Sequence, residues 1–178
     1  MWHYFPNQYM PSYQVNRALT QAHYGGGEFA EILEVASEID PADRESFNKA
    51  WVKMGDKVYD KAENYAKDGH NISARRTYLR AFNYLRTAEF FMTLHDDRKI
   101  PYYLKCRDAF VKAINLFDEK PLQINIPFEG SQLPAYLFKP TGVKNPPVMV
   151  MFGGLDSLAE ELYFGIAQHL NERGIAMM

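Results

Sequence analysis

Cysteine is almost missing from the 178 residues. Cys106 stands alone, so no disulfide can form within the chain. Charge of one sign is missing too. The 20 Lys+Arg against 22 Asp+Glu give a formal net charge of -2. With no basic surplus to neutralise phosphates, charge-driven binding of nucleic acid is not expected. Long hydrophobic runs are also lacking. The longest, Val148 to Phe152, is far too short to span a bilayer. The opening Met1-Trp2-His3-Tyr4-Phe5-Pro6 lacks the basic and apolar regions of a secretory signal. A cytoplasmic protein with no membrane association is the expectation. What the chain does have is 47% hydrophobic and 15% aromatic residues, which excludes a disordered tail. Its length suits one ordinary domain or two small ones.

The first two-thirds reads as helix. Tyr13 to His23 suits a short helix stopped by Gly25-Gly26-Gly27, and Glu28 to Ile39 follows with Phe29, Ile32, Leu33 and Ala36 on one face. Asp40-Pro41 has the form of an N-cap followed by proline at the first helical position. From there Phe47, Trp51, Met54, Val58, Ala62 and Tyr65 recur at steps of three and four, ending near Gly69. Ser73 is expected to cap a helix running to about His95. Tyr78, Leu79, Phe82, Leu85, Phe90, Phe91 and Met92 make that helix apolar on most sides, as a buried helix is. Pro101 opens another, with Tyr103, Cys106, Phe110, Ile114 and Phe117 facing inward.

The period then changes from 3.6 to 2. Leu122, Ile124, Ile126 and Phe128 alternate with polar residues, Glu129-Gly130-Ser131 turns, and Leu133 to Phe138 returns, which reads as a β-hairpin. Val148 to Phe152 has the continuous apolar character of a strand buried on both faces. Ala159 to Glu172 reads as a helix with Leu162, Ile166 and Leu170 inward, stopped at Arg173-Gly174. Ile175 onward begins another strand. The expected organisation is an all-α unit over 1–120, then a hairpin, strand, helix and strand over 121–178. The second part is the opening of a larger α/β sheet. The apolar Ile175-Ala176-Met177-Met178 is the ending expected of a chain truncated inside a strand.

The stretch Val148 to Ser157 is the most informative chemically. A strand ends in Gly153-Gly154 and a tight turn before the next helix. Glycines allow a close approach to the backbone, and free amides in such a turn can face developing negative charge. An ordinary strand-to-helix turn accounts for the same residues.

Phe152-Gly153-Gly154-Leu155-Asp156-Ser157 with Glu160-Glu161-Leu162-Tyr163 resembles the oxyanion-hole segment of α/β-hydrolases that carry a helical cap. The branch it resembles is the FrsA-like esterase family, which includes dihydroxypseudooxynicotine hydrolase. His70 to Tyr84 and Ala88-Glu89-Phe90-Phe91 are similar to that family's cap helix. Ile126-Pro127-Phe128-Glu129-Gly130 and Leu133-Pro134-Ala135-Tyr136-Leu137 are similar to its first hairpin. The resemblance implies a helical cap domain followed by the first strands and helix of an α/β-hydrolase sheet. It also implies a serine hydrolase acting on a small-molecule acyl or ketone substrate, by cleavage of an ester or of a carbon–carbon bond next to a ketone. Neither cofactor nor metal is implied, and a homodimer is a candidate assembly.

The family's G-x-S-x-G elbow is absent from this chain. The resemblance therefore implies that nucleophile, acid and base all lie beyond Met178, and that the chain by itself is inactive. Of the machinery, only an oxyanion donor is expected here: the Leu155 N–H first, the Gly154 N–H second.

Other polar residues have plainer readings. His95-Asp96-Asp97 suits a polar helix terminus, Ser157 an N-cap, His169 a solvent-facing position, His23 and His70 helix ends, and Cys106 a buried inert thiol. Arg80, Asn83, Arg86 and Glu89 sit in an apolar helix and must be paired there. Either they tie the helices together, or Asn83, Tyr84 and Glu89 face a substrate. Two rivals to the hydrolase are a non-catalytic helical interaction module over 10–118 with a vestigial β tail, and a nucleotide-binding protein. The second is weakened by the absence of G-x-G-x-x-G and of a P-loop lysine.

Overall fold

The computed structural model describes residues 2–178 and divides the chain into two compact units, Met1–Leu116 and Phe117–Met178. The first is helical: α1 (Tyr9–Ala22), α2 (Phe29–Ser37), α3 (Arg44–Lys67), α4 (Asn71–Phe90) and α5 (Lys99–Asn115). Helices α3, α4 and α5 form its centre, around Trp51, Phe82, Leu85 and Phe110, all fully buried. Gly55 lets α3 close on α4, because a Cβ there would lie 2.7 Å from Leu85 Cδ2 and 3.2 Å from its backbone nitrogen. Nine consecutive residues of α4, Ala81 to Glu89, are buried, as its all-round apolar pattern requires.

Several helix limits differ from the sequence reading. Helix α1 starts at Tyr9, because the Ser12 hydroxyl pairs with both backbone groups of Phe5 and secures the first turn. Helix α3 starts after Asp43, whose side chain accepts from the Glu45 amide. Asp40 instead accepts from the Ala42 amide, in a turn preceding the helix. Helix α4 begins at Asn71 and not after Ser73, and it ends at Phe90. Helix α5 begins at Lys99, placing Pro101 inside its first turn, where no intrahelical N–H is lost.

The second unit opens with β1 (Leu122–Phe128) and β2 (Ser131–Leu137), antiparallel, pairing Leu122 with Leu137, Ile124 with Ala135 and Ile126 with Leu133. Glu129 (φ 46°) and Gly130 (φ 76°) make the two-residue left-handed turn that matches hairpin twist. Strands β3 (Val148–Met149) and β4 (Ala176–Met177) are parallel. Phe138, just after β2, exchanges two backbone hydrogen bonds with Met177, at 2.8 and 2.9 Å. The strands thus form two two-stranded sheets, β1-β2 and β3-β4, linked by this single antiparallel bridge.

Two expectations for this unit are corrected. The strand at Val148 is short and exposed rather than buried on both faces. It pairs with β4 only, and no layer among the described residues covers Val148, Met149 or Val150. The helix expected over Ala159 to Glu172 is broken into a 3₁₀ segment, Ala159–Phe164, and α6 (Ala167–Glu172). The break falls at Gly165 and Ile166, where Ile166 leaves helical geometry at φ -148°. Leu162 and Ile166 are consequently only half-buried, while Leu170 is buried.

Candidate active-site turn and the polar residues of the helical unit

The turn after β3 is fixed at both ends and open in the middle. At its start the Met151 amide donates to Met178 O at 2.7 Å, so β4 holds the end of β3. At its far side the Ser157 amide donates to Gly154 O at 3.2 Å, and the Leu158 amide to Glu161 Oε2 at 2.8 Å. Leu158, not Ser157, is the N-cap of the 3₁₀ segment, and the Glu161 carboxyl reaching back to it supplies the cap. The Ser157 side chain is turned over Gly153 instead. A Cβ on Gly153 would meet the Ser157 Cβ at 2.3 Å, so this position requires glycine. Gly154 has nothing within 4 Å of the corresponding point. Gly154 and Leu155 are exposed, and their amides donate to no group among the described residues. Chemically, that leaves two backbone donors available at the end of a parallel strand. An apolar cavity of about 350 Å³ reaches the start of the turn at Phe152 and Gly153, with Ile126, Leu133, Tyr136 and Leu162 also among its lining residues.

The polar residues of α4 are buried and engaged. Asn83 Nδ2 donates to Gly26 O at 2.6 Å, while its Oδ1 is buried and accepts from no group among the described residues. The Tyr84 hydroxyl accepts from the Glu28 amide and donates to Glu31 Oε2, both at 2.8 Å. Burial pushes its phenol pKa well above the ordinary value. Arg80 pairs with Glu28 and Glu31. Glu89 is held by Arg86 one turn before it and by Lys99 Nζ at 2.6 Å. These bonds join α4 to the α1–α2 loop, to α2 and to α5.

The remaining candidates occupy structural positions. Asp96 accepts from the backbone and side chain of Arg98, whose guanidinium holds its carboxyl at about 2, and Arg98 also bridges to Glu45. His169 lies 3.7 Å from Glu172 and is half-exposed. Cys106 is buried, its Sγ 3.1 Å from Tyr103 O. His23 and His70 flank α1 and α4 and are exposed. Among the described residues, no helix is long and apolar enough to cross a membrane, and no group of three or more His, Cys, Asp or Glu side chains could hold a metal ion.

The sequence reading missed one buried polar pair, Tyr136 OH to Glu160 Oε1 at 2.7 Å. The partners are 24 residues apart, and the only local signal is an acidic residue at a position that turns inward.

The model of the family described as FrsA-like, "Esterase FrsA-like", matches residues 43–178. The hydrolyase poxO of Penicillium oxalicum is 35% identical over 184 aligned residues, covering 100% of this chain and 44% of its own length. The alpha/beta hydrolase psoB of Aspergillus fumigatus is 35% identical, covering 83% of this chain and 36% of its own. The alpha/beta hydrolase xenA of Xenoacremonium sinensis is 34% identical, covering 90% and 39%. Among solved structures, 2,6-dihydroxy-pseudo-oxynicotine hydrolase superposes with a TM-score of 0.73 at 19% identity, over 89% of this chain and 44% of that one. The fold is therefore that of part of an α/β-hydrolase. The chain spans less than half the length of these relatives.

Proposed function

The chain belongs to the FrsA-like esterase family, and we propose that it forms the N-terminal part of a serine-type α/β-hydrolase cleaving an ester or a carbon–carbon bond next to a ketone. The observation that carries this reading is the open turn after β3, in which the Gly154 and Leu155 amides are exposed and donate to no group among the described residues. In this role the Leu155 N–H, with Gly154 as the second choice, donates to the oxyanion of a tetrahedral intermediate. Pre-oriented backbone donors stabilise such an anion without reorganising as it forms. The nucleophile, acid and base come from residues beyond Met178. The substrate is a small acyl or ketone compound, and the reaction needs no cofactor.

In the helical unit, Asn83, Tyr84 and Glu89 are the candidates for contact with the substrate. Asn83 has the most support, because its buried Oδ1 accepts no hydrogen bond among the described residues and such a group costs free energy until it is satisfied. Tyr84 and Glu89 already spend their polar atoms on Glu28, Glu31, Arg86 and Lys99. A cytoplasmic homodimer is the proposed setting.

The test is to read the coding sequence past codon 178 and express the extended protein. A G-x-S-x-G elbow is expected within the next several dozen residues, and a fluorophosphonate probe should label the extended protein and not the 178-residue chain. Stoichiometric labelling of the 178-residue chain, or a continuation with no elbow, overturns the proposal.

A further inference from the structure

Glu160 stands out as a buried acid in the second unit. It is 3% exposed, next to a turn whose residues face solvent. Burying a carboxyl costs several kcal/mol unless hydrogen bonds replace the lost water. The Tyr136 hydroxyl supplies one, from β2, which continues into the pair of backbone bonds with β4. Tyr136 is itself 6% exposed.

We infer that Tyr136 and Glu160 are positioning residues that hold the oxyanion turn in its working geometry. The inference rests on the hydrolase reading above. From Glu160 the support runs back along the chain in short steps. Glu161, its neighbour, caps the Leu158 amide. The Ser157 amide closes onto Gly154 O. The Ser157 side chain sits against Gly153, where no Cβ fits. The turn is thus anchored to β4 at Met151 and to β2 through Glu160, and the Gly154 and Leu155 amides lie between the two anchors. Releasing the second anchor leaves the backbone donors free to drift from the position of the anion. A misplacement of about 1 Å in such a site costs on the order of 100-fold in rate. Glu160 acts here through the turn and does not touch the reacting atoms.

The test uses the extended protein with p-nitrophenyl butyrate as substrate and a fluorophosphonate as site titrant. Rates are read per titrated site, so a partly unfolded variant lowers the amplitude and leaves the rate per site intact. Tyr136→Phe and Glu160→Leu each remove the bond and should lower kcat by roughly 10- to 100-fold with little change in KM. Glu160→Gln keeps an acceptor for the Tyr136 hydroxyl and should stay near the wild-type rate. The double variant Tyr136→Phe/Glu160→Leu should lose less than the two single changes added together, since both break the Tyr136–Glu160 bond. Wild-type kcat per site in Tyr136→Phe and Glu160→Leu overturns the inference and leaves the hydrolase reading standing. An extended wild-type protein that takes up no fluorophosphonate overturns both.

Discussion

The two units differ in where their large apolar side chains go. In the helical unit Trp51, Phe82, Tyr84 and Phe110 are fully buried, and the charged groups of α4 find partners on neighbouring elements. In the second unit Phe152 is 86% exposed, and Phe128, Leu133, Val148 and Val150 are exposed with it. Burial there gathers around an aromatic cluster, in which Phe138 and Phe117 pack against Tyr163 and Tyr163 against Phe164, together with Tyr136, Leu170 and Met177. The helical unit therefore resembles a finished core, whereas β1 and β3 carry apolar surface that nothing among the described residues covers. Core substitutions should accordingly cost stability in the first unit, and substitutions at the exposed apolar positions of β1 and β3 should not.

The largest effect belongs to the centre of the helical unit. Trp51→Ala should destabilise it by about 3–5 kcal/mol, through lost burial and the cavity left behind. Phe152→Ser should stay within about 0.5 kcal/mol, since that ring leaves water hardly at all. Urea unfolding followed by near-ultraviolet circular dichroism measures both. Equal shifts in the two variants would remove the distinction between the units.

A smaller contrast separates buried from exposed charge within the helical unit. Glu89 sits between Arg86 and Lys99 with its side chain 6% exposed. Glu89→Leu removes the buried carboxylate that Arg86 and Lys99 share and should cost about 3–5 kcal/mol. Glu63 is 44% exposed; its pKa is lowered by the hydrogen bond from Lys112 and then by that from Tyr78. Glu63→Gln should cost less than about 1 kcal/mol. If the two variants melt together, burial is not what sets the strength of these pairs.

Alkaline pH sharpens the comparison further. Burial, and then the hydrogen bond to Asp108, push the Tyr59 phenol up to about 12. Tyr78 and Tyr84 are raised as well, burial being the first cause in each. A group whose pKa is raised on folding stabilises the folded state below its unfolded value and loses that contribution as pH climbs through its folded value. The stability of the helical unit should thus fall between pH 10 and about 12, with tyrosinate absorbance appearing as it unfolds. Early ionisation of these tyrosines without unfolding would count against the buried network.

How much of this was legible depends on how local the signal is. The 3.6-residue period of α3 and α4 shows the helices, and Glu129-Gly130 between alternating strands shows the hairpin. The tight turn after β3 is visible in Gly153-Gly154. Its internal logic is not, because the reason for glycine at 153 is a Ser157 side chain folded back over it. The apolar run at Val148 misleads, since hydrophobicity records what a strand can bury and not what covers it. The spacing of Leu162, Ile166 and Leu170 carries a helix straight through Gly165, although glycine is among the weaker helix formers and the break falls there. Tyr136 and Glu160 meet only through the tertiary fold, and nothing adjacent to either residue announces the other.

The start of α3 gives the smallest and cleanest test of that lesson. Asp40-Pro41 has the better sequence signature, yet Asp43 provides the cap, its carboxyl accepting from the Glu45 amide at 2.9 Å. Asp40 spends its carboxyl on the Ala42 amide at 3.0 Å, and its own amide donates to Ser46 Oγ at 2.8 Å. The two aspartates thus divide the work: the first closes a turn before the helix, and the second satisfies an amide at its first turn. Removing a helix cap costs about 1 kcal/mol. Asp43→Ala should show that loss in thermal melts, and Asp40→Ala should show clearly less. The reverse order would return the helix start to Asp40-Pro41 and lengthen α3 by one turn.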